Sequence, residues 1–453
     1  MTDDIEEVPF LVSLLPAGSG NLSSANWIVG FYFDLTTKTD LGLAYGVAGP
    51  DVAFGVPLSS PYQSYSVNDG GTLFGDLSCN NFTMQGGVAF VLLGTLSASR
   101  GTIGSGTQLT LDASALLSVT NYLTVQGTVT NAGRIVGNMT TAGAGLILHA
   151  SGARIINQSG ASISGYTGIG TYLGNADYNV VNQGIIAGNT TSGVGVSMWG
   201  GSITNQSGGT ISGGFGIFSE NVLTVVNIAG SIAGNPTLNQ GIGIELADGG
   251  TVTNQGGGTI SGRDAIDAVT AGIVTIVNYG SIAGNTASGF GISFRDGSVT
   301  NQSSASISGL FGVSGDGDAL TVVNAGSIAG NPTRLLGGVG IDLANGNNVA
   351  INQSTGKISG FTGIAGEFGT TTVVNYGSIT ANYGVYFNAG GECHQPKLRL
   401  DQRAFRDFWQ RHQCCDRYEP RYHHGEHILI KRNRHCPSER QRHQPKVCLD
   451  QRV

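Results

Sequence analysis

The residues best able to do chemistry in this chain are a sparse set of carboxylates, Asp264, Asp267, Asp316 and Asp318, with Arg263 and Arg295 close by in sequence. Two carboxylates on one surface can divide general-acid and general-base work at a glycosidic bond. A neighbouring guanidinium or a Ca²⁺ ion can then stabilise the charge that develops. The segment GVSGDGDAL (312–320) partly echoes a Gly/Asp nonapeptide that binds Ca²⁺ between consecutive turns, but that motif works in tandem and here stands once. Ser114 has no His or acid at a spacing that would make it a nucleophile. A second group crowds the C-terminus: Cys393 with His394, Cys414 with Cys415, and His423, His424 and His427. These are zinc-ligand types, yet zinc sites use two close ligand pairs around a structured loop, and no such pair of pairs is present. No catalytic, cofactor-binding or metal-ligating residue is assigned, and the carboxylates read first as loop acids that keep an apolar stack soluble.

Whatever holds these residues has an unusual composition. The chain has 453 residues, 74 of them Gly, and only 11% are charged. That excludes an ordinary helical enzyme and a charged disordered chain. The averages conceal a break at Gly391/Glu392. The 62 residues after it carry 14 of the 22 Lys and Arg, 7 of the 8 His and 5 of the 6 Cys, but one Gly. The part before it is strongly acidic and has no basic patch for nucleic acid. Its only Cys is Cys79, so it has no disulfide framework.

The acidic part repeats. A motif Val-(Val/Thr)-Asn, a Gly/Ser spacer and Ile-(Ser/Ala)-Gly places its Asn at 131, 157, 182, 205, 227, 254, 278, 301, 324, 352 and 375. The mean interval is about 24 residues. The step from Asn to the next Ile alternates, four residues in VNYGSI (Asn278 to Ile282) and six in TNQGGGTI (Asn254 to Ile260), with Asn227 alone at five. The true unit is therefore a pair of turns. Gly costs about 1 kcal/mol at each helix-interior position, so helical repeats are excluded. Short β-branched runs punctuated by Gly and Asn read as strands. Each unit offers three: the Val-x-Asn run, the Ile run, and a third such as GIGIEL (241–246), FGISF (290–294) or GVGIDL (338–343). Three short strands per circuit predict an all-β parallel β-helix, a β-solenoid with coils of about 24 residues stacked about 4.8 Å apart. Val226, Ile232, Val252 and Ile260 are expected inside, and the Asn column is expected to form an internal ladder bonded to the backbone of the next coil.

The stretches SVTNQSSASISG (298–309), GTVTNQGGGTISG (250–262) and TVVNAGSIAGN (321–331) resemble the passenger repeats of bacterial autotransporters, the surface proteins of type V secretion. The resemblance covers about residues 125–391. It implies a non-enzymatic adhesion or aggregation scaffold at the outer membrane or cell surface, or secreted, whose partner is a carbohydrate or another copy of itself. It also implies a signal peptide and a C-terminal membrane β-barrel. The start, MTDDIEEVPFLVSLLPAGSG, is acidic and hemmed in by Pro9 and Pro16, unlike a signal peptide, and no apolar stretch is long enough for a spanning helix. Because β-helices also carry polysaccharide lyases and hydrolases, a carbohydrate-active enzyme is the alternative function. Three segments are expected: 1–84 as atypical early coils or a cap, 85–391 as the β-helix, and 392–453 as a disordered tail.

The tail has a simple origin. GGECHQPKLRLDQR (390–403) has a permitted codon assignment from which deletion of one G yields Gly-Gly-Ser-Val-Thr-Asn-Gln-Ser-Ser-Ala-Ser-Ile-Ser-Gly. The last thirteen of these residues repeat Gly297–Gly309. RHQPKVCLDQR (442–452) converts in the same frame to another copy, and its HQPK lies 49 residues after the first, the length of one double repeat. Between them, RYEPRYHHGEH (417–427) converts to a copy with the four-residue spacing. The tail therefore reads as an out-of-frame translation of further repeats. Codon accident accounts for its Cys, His and Arg, including the basic run IKRNR (430–434), and a product so altered could have lost function altogether.

Overall fold

The architecture is seen in a computed structural model. It describes residues 7–9, 30–32, 52–53, 62–67, 71–74, 76–140, 143–172, 177–334, 338–388, 390–394, 418–423, 426–431 and 446–448. The described residues are all β, and no helix among them is long and apolar enough to cross a membrane. The fold is the parallel β-solenoid expected from the repeat. Each coil contributes one strand to each of three sheets, and each strand pairs in parallel with its counterparts one coil below and one above. Sheet 1 holds the Val-x-Asn strands (Thr128–Asn131 through Thr370–Asn375), sheet 2 the Ile strands (Arg134–Val136 onward), and sheet 3 the Gly-Ile strands (Ala144–Leu148 onward). The parallel ladder also runs below residue 85, where Tyr62–Val67 pairs with Asp76–Met84 and that strand with Thr95–Ile103.

The core is a set of aliphatic columns. Register places Val225 over Ile203 and under Val252 in sheet 1, and Ile232 between Ile211 and Ile260 in sheet 2. All six have no solvent exposure. Burying one such side chain stabilises by about 1.5–3 kcal/mol, and here the neighbouring coils do the burying. One inward assignment is corrected. Val225, not Val226, faces the interior, because Asn227 also points in and side chains alternate along a strand. Val226 is half-buried on the outer face. Where sheet 2 turns into sheet 3, a Cβ on Gly216 would lie 2.5 Å from the Gly243 carbonyl oxygen and 3.1 Å from the Ile232 methyl, a coil-to-coil approach too close for a side chain at that position.

Two ladders of Asn run along the stack. Inside, the side-chain amide of each repeat Asn donates to the Oδ1 of the next, from Asn131 to Asn157 at 2.8 Å up to Asn352 to Asn375 at 2.8 Å. The same nitrogen reaches a backbone carbonyl of the next coil, as Asn254 does to Ser281 at 3.2 Å. The expected amide-to-backbone bond is therefore present, joined by an amide-to-amide chain. The ladder begins at Asn131 because Leu111 occupies the place beneath it, which leaves Asn131 Oδ1 buried without a partner. Outside, alternate coils carry a longer corner between sheets 2 and 3 that starts at Asn138, Asn189, Asn235, Asn285 or Asn331. The Oδ1 of each caps the backbone N–H two residues on, and from Asn189 upward each Nδ2 donates to the corner two coils below, as from Asn235 to Thr190 O at 2.9 Å. This outer ladder gives the paired-turn periodicity a structural meaning.

In the tail, Gly391–His394 lies in parallel on Thr371–Val374, and Lys446–Cys448 runs antiparallel beside Val385–Phe387. His423 and His427 fall on a hairpin, Tyr418–His423 with Glu426–Lys431. Cys414, Cys415 and His424 lie outside the described residues.

Candidate functional site

Among the described residues, the outer face of sheet 3 carries five carboxylates, Glu245, Asp267, Asp316, Asp342 and Glu367, with Asp264 at its edge. Asp264 opens one strand of this sheet. It is 4% exposed, pairs with Arg263 Nη1 at 2.6 Å and accepts the Phe290 N–H at 2.8 Å. Burial still raises its pKa, and the Phe290 N–H and Arg263 pull it back. Its ligands are all internal, so Asp264 fastens one coil to the next. Three residues on, Asp267 stands directly over Glu245 in register, about 4.8 Å apart along the stack. Burial, and then Asp264, pushes Asp267 up to about 6. Burial, and then Asp267, pushes Glu245 up to about 7. One Asp267 oxygen is inaccessible and accepts nothing. The pair is proton-holding near neutrality, as an acid–base couple requires.

A second acid group lies higher. Ser293 and Ser314 continue the column above Asp267, and Asp342 comes next, three coils and roughly 14 Å away. Asp342 is pushed up to about 7 by burial, then by Glu367 and Asp316. Asp316 sits below Ala344 and Glu367 above it, so three carboxylates surround one small residue. Asn345 donates to Asp316. Among the described residues no group of three His, Cys, Asp or Glu side chains is arranged to hold a metal ion.

The expected constellation is thus split. Asp264 and Asp267 share a neighbourhood with Arg263, whereas Asp316 and Asp318 lie at the far end of their strand, five and seven residues past Phe311, the position above Asp264 and Phe290. Arg295 follows Phe294, which lies under Gly315, and so stands one coil below Asp316, but its guanidinium donates to Thr270 O at 3.4 Å. Ser114 Oγ donates to Leu93 O at 3.3 Å in a turn. Cys393 packs partly on the core, and His394 Nε2 lies 3.5 Å from a Glu392 oxygen, both side chains well exposed. Sequence reasoning missed Glu245, Asp342 and Glu367. The signal was available, since Glu245, Asp267 and Asp342 each follow the buried Ile of a sheet 3 strand.

The outer face of sheet 1 is different. It presents two columns, one of Thr and Ser (Thr224, Thr251, Thr275, Ser298, Thr321) and one that alternates Thr with Val (Val226, Thr253, Val277, Thr300, Val323). Successive members lie about 4.8 Å apart along the axis, and the columns are about 6.6 Å apart. From Thr224 to Val323 these two columns carry no charge, and Asp296, over Ile273, stands at their edge. No family model, curated protein or solved structure matches this chain.

Proposed function

We propose that this chain is a rigid display shaft, a passenger-type surface scaffold of the autotransporter kind, that holds a neutral partner such as a carbohydrate through many weak contacts. The observation that carries this reading is the outer face of sheet 1, where hydroxyls and methyls recur with every coil and no pocket concentrates them. Contacts too weak to matter singly add when they are linked rigidly, so affinity grows with the number of coils rather than with any one residue. The cell surface or the secreted medium is the proposed place of action, on the strength of the passenger-like motifs. Binding to insoluble polysaccharides by the full chain and by chains shortened by whole double repeats tests it. A steady loss of retention with each double repeat removed supports the shaft. Retention that vanishes with a single Thr→Ala change points to a discrete site and overturns it.

A second reading has one specific observation in its favour, the Glu245/Asp267 pair with raised pKa values on adjacent coils. In that reading the protein cleaves a polysaccharide, with one carboxyl protonating the leaving oxygen. Release of new reducing ends, abolished by Glu245→Gln and by Asp267→Asn in chains that remain folded, would establish it. Absence of release from a broad set of polysaccharides removes it.

A further inference from the structure

The upper end of the stack meets the tail at Gly391–His394, and the register there carries information independent of any codon. Cys393 lies over Val373 and His394 over Val374, so a coil held in this register brings its next residue to Asn375. Val373 faces the core with no exposure, Val374 faces out, and Asn375 is the last rung of the inner ladder, 6% exposed. A coil that continued the stack needs an aliphatic residue at 393, an outward residue at 394 and Asn at 395. The present chain supplies Cys, His and Gln. The reading frame recovered by deleting one G supplies Val, Thr and Asn.

We infer that the upper edge of the solenoid is an interface shaped for one more coil of the same repeat, and that the occupant is encoded by the tail's own codons in the shifted frame. The match extends around the whole circuit. In sheet 2, Ile379 lies over Ile358, and the shifted frame places an isoleucine at position 401, six residues after its Asn. Coils alternate between four and six, and the coil of Asn375 and Ile379 is a four. In sheet 3, Val385 lies over Ile364. With Arg406 as CGG and Asp407 as GAT, the frame reads Gly-Ile at 406–407, the pair that sheet 3 uses in six of the described coils, such as Gly340-Ile341 and Gly363-Ile364. The strand now beside Val385–Phe387, Lys446–Cys448, is the one antiparallel neighbour in the large sheet among the described residues. It is foreign to the stack it touches. A one-residue slip would turn every side chain to the wrong face, so coincidence of parity in all three sheets is demanding.

The coding DNA across codons 390–408 is the first check, and codons that forbid the Val-Thr-Asn or Gly-Ile readings overturn the inference. The second compares this chain with the single-base-deletion product by amide hydrogen exchange. Protection of the Val373–Asn375 and Ser378–Phe387 amides should rise at least tenfold in the deletion product, and unchanged protection overturns the inference. The third stays within the present chain. Cys393→Val, His394→Thr and Gln395→Asn together should raise protection at Val373–Asn375, whereas Cys393→Thr, His394→Val and Gln395→Asn, with parity reversed, should not. Equal gains from both sets overturn it. So does protection in the present chain that climbs to the deletion product's level with protein concentration, because the occupant is then a second copy of the chain.

Discussion

The inner Asn ladder and the outer carboxylate column obey the same geometry with opposite results. Both place like side chains over one another at one-coil spacing, Asn227 over Asn205 in one and Asp267 over Glu245 in the other. An amide carries a donor and an acceptor, so each copy satisfies the next, and the ladder can be fully buried. A carboxylate ionised is an acceptor only, so each copy raises the cost of ionising its neighbour. Stacking multiplies whatever chemistry a position holds, and a solenoid tolerates stacked acids only where solvent or a proton can relieve them.

One way to break that contrast is inside the ladder. Asn254→Ala strips Asn227 of one acceptor and Asn278 of one donor. Asn227 Nδ2 keeps Gly230 O and Thr259 O, and Asn278 Oδ1 keeps the Gly280 N–H. Two lost amide–amide bonds at about 0.5–1.5 kcal/mol each should therefore lower stability by roughly 1–3 kcal/mol, read from the urea midpoint. Parity comes next. Val225→Asp should abolish folding of its coils, while Val226→Asp should shift the midpoint by less than about 1 kcal/mol, and equal effects would restore the discarded inward assignment. The carboxylate column predicts a pH response of the opposite sign to ordinary acid denaturation. Glu245, Asp267 and Asp342 have folded pKa values raised to about 7, 6 and 7 from ordinary values of 4.5, 3.8 and 3.8. Within the window between those values the folded state binds the extra protons, so their contribution is most favourable near pH 4 and is lost as pH rises through 7. Thermal midpoints should therefore be higher at pH 5 than at pH 8, and Glu245→Gln with Asp342→Asn should flatten the difference. The smallest effect is at the ladder's foot. Asn131→Leu removes one orphaned Oδ1, takes the donor from Asn157 Oδ1 and places Leu over Leu111, so the orphan only moves up one rung and the net change should stay under about 1 kcal/mol.

The fold was legible because a solenoid writes its geometry into the chain once per coil. The Asn column could be read as a ladder from its recurrence alone, and the three-strand coil from where Gly and Asn interrupt the β-branched runs. The face of Val226 was misread although the period-two rule and the inward Asn227 already forbade it. The acid site was half legible. Asp264 and Asp267 are neighbours in sequence, but Glu245, which faces Asp267, and Glu367, which faces Asp342 and Asp316, come from other coils, where sequence distance is a poor guide to separation. The outer ladder escaped notice because Asn138, Asn189, Asn235, Asn285 and Asn331 recur only at every second coil.

By itself the sequence determined the period, the class of fold and the column of amides, since these follow from which residue types recur and how far apart. It also held the hidden continuation, because codon degeneracy leaves a shifted frame readable. Only the stacked structure decided which carboxylates face one another, which columns stay neutral, and that Cys393 and His394 belong over Val373 and Val374. Those depend on registry between coils, and registry is set by corner lengths and by packing around the whole circuit, which no local stretch of chain encodes.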